Sequence, residues 1–191
     1  IIGSCIANLL LILGVSAIIQ PVNIHQAVIK RELPILILTT IVFTIFALTN
    51  LLDTYHLIGG ILFLIFFTSF IIFFYRVAKK ERQTSEKIDT GNQLKNTLLI
   101  IFGITGVIIG AWLLIEGAIS IADAFGVPQI IIALSMVAIG TSLPELVVSA
   151  MAAYRKESDI AVGNIIGSNI FNILLILGVA ALILPLNAMA S

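Results

Sequence analysis

The sequence predicts an all-α, polytopic membrane protein with six transmembrane helices. Three observations carry this reading. The chain of 191 residues is 60% hydrophobic and 10% charged, with a mean hydropathy of +1.18, whereas a soluble domain is about 25% charged. Uncharged runs cover 1–24, 33–52, 57–75, 96–115 and 160–191, each close to or above the ~20 residues that a helix needs to cross a bilayer. A further run, 124–144, stops at Glu145 and resumes beyond it. The third observation is the placement of the basic residues. All ten Lys and Arg fall in three connections: Lys30 and Arg31; Arg76, Lys79, Lys80, Arg82, Lys87 and Lys95; Arg155 and Lys156. The alternate connections carry Asp53 and Asp123 and no base. Cytoplasmic loops are the ones enriched in Lys and Arg, so loops 21–32, 77–96 and 154–160 are expected to be cytoplasmic.

The six spans are expected at 1–20, 33–50, 57–76, 97–118, 127–153 and 161–184. A net charge of zero gives no basic face for nucleic acid. Cys5 is the only cysteine, so an intramolecular disulfide is excluded, and its ordinary role is that of a small packing residue. The chain begins at Ile1 inside an apolar run with no charged segment before it. That is unlike a signal peptide and leads us to expect missing N-terminal spans of the same protein.

In span one, Ser4 and Asn8 lie four residues apart and share a helix face; alone they read as interhelical hydrogen-bonding groups. His25 falls in the first connector and reads as solvated. Spans two and three have no internal charge and read as scaffold, with Pro34 in a first helical turn and Tyr55, His56 and Tyr75 as interfacial anchors. Residues 77–96 are the one hydrophilic stretch, a linker dividing 1–76 from 97–191. Span four is rich in glycine and carries Glu116 near one end, which reads as facing headgroups.

Span five holds Gly140-Thr141-Ser142-Leu143-Pro144-Glu145. A carboxylate at membrane depth costs several kcal/mol and is usually tied to transport or proton handling. Pro144 removes the donor that would pair with the Gly140 carbonyl. Unpaired backbone at that depth is tolerated only in a protein-packed or water-lined place. Freed carbonyls, hydroxyls and a carboxylate are hard oxygen ligands, suited to sodium or calcium. Ser142, Glu145 and Ser149 share one face. In span six, Asn164, Ser168 and Asn172 recur every four residues as one polar stripe.

Residues 165–188 repeat residues 1–24 at an offset of 164. IIGSCIANLLLILGVSAIIQPVNI and IIGSNIFNILLILGVAALILPLNA agree at 16 of 24 positions. The copies are the first and sixth spans, five apart, so they cross in opposite directions. Such inverted repeats build secondary transporters with a midplane site at the repeat interface. The repeat also predicts a partner of span five, with a similar motif, ahead of Ile1.

These motifs resemble the cation/calcium antiporter superfamily, and within it the sodium/calcium exchanger-like proteins. Gly140–Glu145 and Gly163–Asn172 look like the family's second alpha repeat, and 1–21 like the tail of its first. The resemblance implies a ten-helix inverted-repeat transporter, of which these are the third to eighth spans. It implies exchange of calcium for sodium by alternating access, with Ca2+ and Na+ as cargo and no cofactor. It implies that Glu145 is the main calcium ligand of this half. Thr141, Ser142 and the Ala138 carbonyl would complete that side, with Ser168 and Asn172 from span six and Ser4 and Asn8 from span one. Three positions depart from the family pattern: Cys5 in place of asparagine, Ala133-Leu134-Ser135 in place of Gly-Leu-Thr, and Asn172 where some members carry aspartate. A cation/proton antiporter titrating Glu145 is the alternative. An intramembrane enzyme is disfavoured because the chain has no Gly-x-Ser-x-Gly elbow and no intramembrane histidine. Short loops favour a prokaryotic inner (plasma) membrane.

Overall fold

Why the polar residues of this chain meet at all follows from how its helices cross. The computed structural model describes residues 1–24, 26, 28–84, 92–132 and 138–186. His25 and Ala133-Leu134-Ser135, singled out above, lie outside the described residues. The described residues form α1 (Ile2–Ile19), α2 (Val28–Leu48), α3 (His56–Thr84), α4 (Gln93–Ala124), α5 (Leu143–Tyr154) and α6 (Ser158–Ile183). Short turns at Leu51–Thr54, Gln129–Ile132 and Ala138–Thr141 stand between them. Five of the six, all but α5, are long and apolar enough to cross a bilayer.

Three boundaries differ from the sequence expectation. α2 starts at Val28 rather than 33, because Lys30, Arg31 and Glu32 continue the helix beyond its apolar part as a π-helical turn. α3 and α4 likewise run into the hydrophilic 77–96 stretch; charged residues are good helix formers, and hydropathy marks where lipid ends, not where the helix ends. The expected span 127–153 is not one continuous helix. Its described part is broken at Ser142 between Ala138–Thr141 and α5.

α6 is the central helix, with half of its membrane-length window buried. Its first part, Ser158–Phe171, packs on α5, and its last part, Leu177–Ile183, packs along α3. The α3–α6 contact depends on Gly60: a Cβ there would sit 2.8 Å from the Gly178 carbonyl oxygen and 2.9 Å from Leu182 Cδ2. Two backbones therefore touch, as small residues permit between membrane helices. Around this seam lie Phe63, Ile166, Ile170, Leu174 and Leu177 of the apolar core. His56 Nδ1 lies 2.8 Å from the Ala181 carbonyl oxygen. Since that oxygen only accepts, Nδ1 is the protonated nitrogen. Leu186 N–H donates to Leu52 O at 3.0 Å, tying the end of α6 to the same corner. α4 is peripheral, leaning on the Ala138–Thr141 turn and α5. Its Glu116 is exposed.

The sequence repeat is also a backbone repeat. α1 is interrupted by a π-helical turn at Asn8–Ile12 and α6 by one at Asn172–Ile176, offset by the same 164 positions. Leu13 N–H reaches back to Asn8 O, and Leu177 N–H to Asn172 O. Both helices then end in extended backbone at equivalent residues, Gln20 and Leu184. Widened turns inside α-helices are found mostly at functional sites.

Candidate ion site

The break at Ser142 sets the site. Ser142 caps α5, Pro144 stands in the first turn, where a missing N–H costs least, and Glu145 follows in that turn. A carboxylate there faces the positive end of the helix dipole. Ser142 N–H bonds to Ile139 O at 3.0 Å, and Ser142 O accepts from Leu146 N–H at 2.9 Å. The chain thus restarts a helix at Ser142. The turn before it is held close to α4, since a Cβ on Gly140 would overlap the Ile115 side chain.

α1 crosses this break on one side. Ser4 Oγ and Thr141 Oγ1 are 2.7 Å apart, Ser142 Oγ donates to Ser4 O at 3.4 Å, and Thr141 Oγ1 donates to Ala138 O at 3.1 Å. α6 crosses on the other. Asn164 Nδ2 donates to the Glu145 carbonyl at 3.2 Å and to Ser149 Oγ at 2.9 Å. Ser149, wholly buried, in turn donates to Ala161 O at 3.3 Å. α5 is thereby pinned to α6 through its backbone, which leaves the Glu145 side chain uncommitted.

α1 and α6 also meet each other directly. Asn8 Nδ2 donates to Ser168 Oγ at 3.0 Å and to Asn169 Oδ1 at 3.4 Å, and Ser168 Oγ donates to Ile165 O at 3.1 Å. The Cys5 side chain lies close to that of Asn172. Position 8 thus meets 169 and position 5 meets 172, so moving three residues forward on α1 moves three back on α6. The helices cross antiparallel, and exchanging each residue for its repeat counterpart turns one pair into the other.

Some polar atoms are left over among the described residues, including the Ser16 hydroxyl and the Asn169 Nδ2 donor, and two of them are acceptor-only oxygens of this site. Glu145 Oε2 and Asn8 Oδ1 are both buried without a donor among the described residues. A buried acceptor left unpaired costs about 1–3 kcal/mol, more when charged. A cation satisfies such oxygens. Glu145, Asn164, Ser168 and Asn172 line an open cleft of about 420 Å³. The donor set is all oxygen apart from the Cys5 sulfur, which is the chemistry that hard cations prefer.

The structure therefore brings together Ser4 with Thr141, Ala138 and Ser142, Asn8 with Ser168, and Glu145 with Ser168 and Asn172. The Ala138 carbonyl is engaged by Thr141. Thr141 is exposed, while Ser142 is buried. Asn169 was not among the sequence candidates, although it is 1% exposed and touches Asn8. A signal for it existed: Asn169 is the repeat counterpart of Cys5, the position marked as a departure. Asn164 and Ser149, read as parts of polar faces, turn out to hold the helix that bears Glu145.

Polar, interrupted helices from two inverted copies, meeting around a carboxylate within the membrane, define the class of secondary transporters. The chain belongs to the sodium/calcium exchanger protein family, which matches residues 1–76 and 95–190 and omits only the hydrophilic stretch and the last residue. That family is one of transporters and not of enzymes. The inner membrane protein YrbG of Escherichia coli K12 is 36% identical over 196 residues, covering 96% of this chain and 59% of YrbG. The sodium/calcium exchanger MaX1 of Methanosarcina acetivorans is 30% identical over 228 residues, covering 98% of this chain and 64% of MaX1. Among solved structures, the sodium-calcium exchanger NCX_Mj without Na+ and Ca2+ superimposes with a TM-score of 0.74 at 37% identity, covering 97% of this chain and 60% of that one. The chain thus spans about three-fifths of the length of the relatives it matches.

Proposed function

We propose that this chain forms part of a secondary antiporter that exchanges calcium for sodium by alternating access. The observation that carries the reading is the Glu145 carboxylate, whose Oε2 is buried without a donor at the head of α5. In this reading Glu145 supplies the negative charge for calcium. Ser168 and Asn172 from α6, and Ser4 and Asn8 from α1, line the path of both ions. Thr141, Ser142 and the Ala138 carbonyl complete the α5 side. The ions are cargo, and no resident cofactor is required.

The repeat extends the proposal to a second carboxylate. Ser4 is covered by Thr141, while its counterpart Ser168 lines the open cleft. A partner of α5 in the intact protein, packed on that face, would bring a second acid opposite Glu145. Residues 1–76 then close the first repeat, 97–191 open the second, and 77–96 join them. The basic loops face the cytoplasm, and the bacterial and archaeal relatives favour a prokaryotic inner membrane.

The test is calcium uptake by proteoliposomes holding the intact protein. An outward sodium gradient is expected to drive uptake, and a proton gradient alone is expected not to. Uptake driven by protons without sodium would overturn the choice of counter-ion, and no calcium flux under either gradient would overturn the calcium assignment.

A further inference from the structure

A second cavity, sharing no lining residue with the cleft at Glu145, lies on the flank of the bundle between α2 and α3. It is about 290 Å³ and is lined by Ile35, Leu38 and Val42 of α2 and by Phe66, Phe70 and Phe73 of α3, with Leu174 of α6 as its floor. Leu174 is buried, whereas Leu38, Phe66 and Phe73 are 60%, 50% and 44% exposed. The cavity is therefore a groove open on the surface of the described residues, not part of their core. From Ile35 to Val42 it runs about 10 Å along the helices. Its walls present little to bond a polar molecule: Thr39 is 6% exposed, and the Ser69 hydroxyl at its edge already donates to Ile65 O at 2.8 Å.

The groove leads to positive charge. Phe66, Phe70, Phe73, Arg76 and Lys80 follow one another at steps of four, three, three and four residues, so they form one stripe on one side of α3. Arg76 lies about 5 Å beyond Phe73 along the axis and Lys80 about 10 Å beyond it. Arg76, Lys79 and Lys80 are exposed. The neighbouring Arg31 is used internally: its guanidinium sits over the Phe74 ring at 5.4 Å and 3.2 Å from Glu32 Oε1. The stripe thus passes from an acyl-sized apolar groove to exposed cations at the hydrophilic end of α3.

We propose that this groove is a binding site for one anionic phospholipid. An acyl chain lies along Phe66, Phe70 and Phe73, and the phosphodiester is held by Arg76 and Lys80. Basic clusters at membrane helix ends attract anionic headgroups in this way. A second copy of this chain fits the groove less well, because a two-fold contact through it brings two Arg76–Lys80 ends together.

The test uses the intact protein with Phe70→Trp, in a background where Trp112 and any other tryptophan are replaced by phenylalanine. The protein is reconstituted with brominated phosphatidylglycerol or brominated phosphatidylcholine. The phosphatidylglycerol is expected to quench the tryptophan with about tenfold higher relative affinity, falling to near parity in the R76Q/K80Q variant. Equal quenching by the two lipids means ordinary lipid contact and overturns the proposal, as does a preference that survives R76Q/K80Q. A tryptophan that neither lipid quenches means a protein surface covers the groove, which also overturns it. Native mass spectrometry of protein carrying the natural Phe70 guards against a folding defect of the probe. Retained phosphatidylglycerol that R76Q/K80Q releases supports the site, and equal retention of both lipids contradicts it.

Discussion

Asn8 donates to Asn169 across the α1–α6 crossing at 3.4 Å, and the repeat-equivalent side chains of Cys5 and Asn172 lie close together at the same crossing. Two halves of an inverted repeat thus meet at equivalent positions, with a thiol at Cys5 where its counterpart Asn169 carries an amide. The central crossing is thus near-symmetric and joins copies that run in opposite directions, as inverted repeats do.

The Asn8–Asn169 contact should be measurable as coupling. Interhelical hydrogen bonds in membranes are worth about 0.6 kcal/mol on average and up to about 1.7. A double-mutant cycle of Asn8→Ala and Asn169→Ala, read by unfolding of the intact protein in mixed micelles, is expected to give a coupling of about 1 kcal/mol. Strict additivity would mean that the amides do not interact.

Cys5 should accept an amide. Cys5→Asn recreates at 5 and 172 the pairing already present at 169 and 8, so transport is expected to persist. Cys5→Leu places a bulkier apolar side chain against Asn172 at the α1–α6 crossing, and overpacking of this kind costs about 1–3 kcal/mol of stability. Thermal melting alongside flux separates the variants; a Cys5→Leu protein as stable as wild type would contradict the assignment.

Asn164 is expected to act through others. It holds the Glu145 carbonyl and Ser149 without needing to touch an ion. Losing a group that orients a ligand typically costs 10–100-fold in metal affinity. Asn164→Ala should therefore weaken apparent calcium affinity by about tenfold, while maximal flux falls less. A variant with unchanged affinity would reduce Asn164 to a packing residue.

Gly60 is a test of the scaffold. Its Cβ position is already occupied by the Gly178 carbonyl and Leu182, so Gly60→Val must push α3 off α6. Overpacking of this kind costs about 1–3 kcal/mol, and a lowered melting temperature is the expected result. Gly103, with nothing within 4 Å of its Cβ position, should tolerate valine and serves as the control.

Much of this was legible in the sequence because lipid imposes simple rules. Uncharged runs located five of the helices, and the repeat identified α1 and α6 as counterparts down to the residue at which each helix widens. The break at Ser142 was legible in part, as a proline and a glycine beside a carboxylate. The restart of a helix that makes Glu145 a first-turn residue depends on what α1, α4 and α6 place against it. Asn169 was missed for a related reason. It sits next to Ser168, off the four-residue polar stripe, and only the crossing with α1 turns it toward Asn8. The helical extensions into charged segments escaped because hydropathy reports lipid contact and is silent about helices in water.

The central claim is that Glu145 supplies the charge that binds calcium. The direct measurement is sodium-driven calcium uptake by the intact Glu145→Gln protein, reconstituted alongside wild type and matched to it in helical content and melting temperature. Glutamine keeps the size and one oxygen but removes the charge. Losing a buried charge from its counter-ion costs about 3 kcal/mol or more, on the order of 100-fold in affinity, so uptake is expected to fall to background at calcium levels that saturate wild type. A folded Glu145→Gln protein that carries calcium with wild-type affinity and rate would contradict the account.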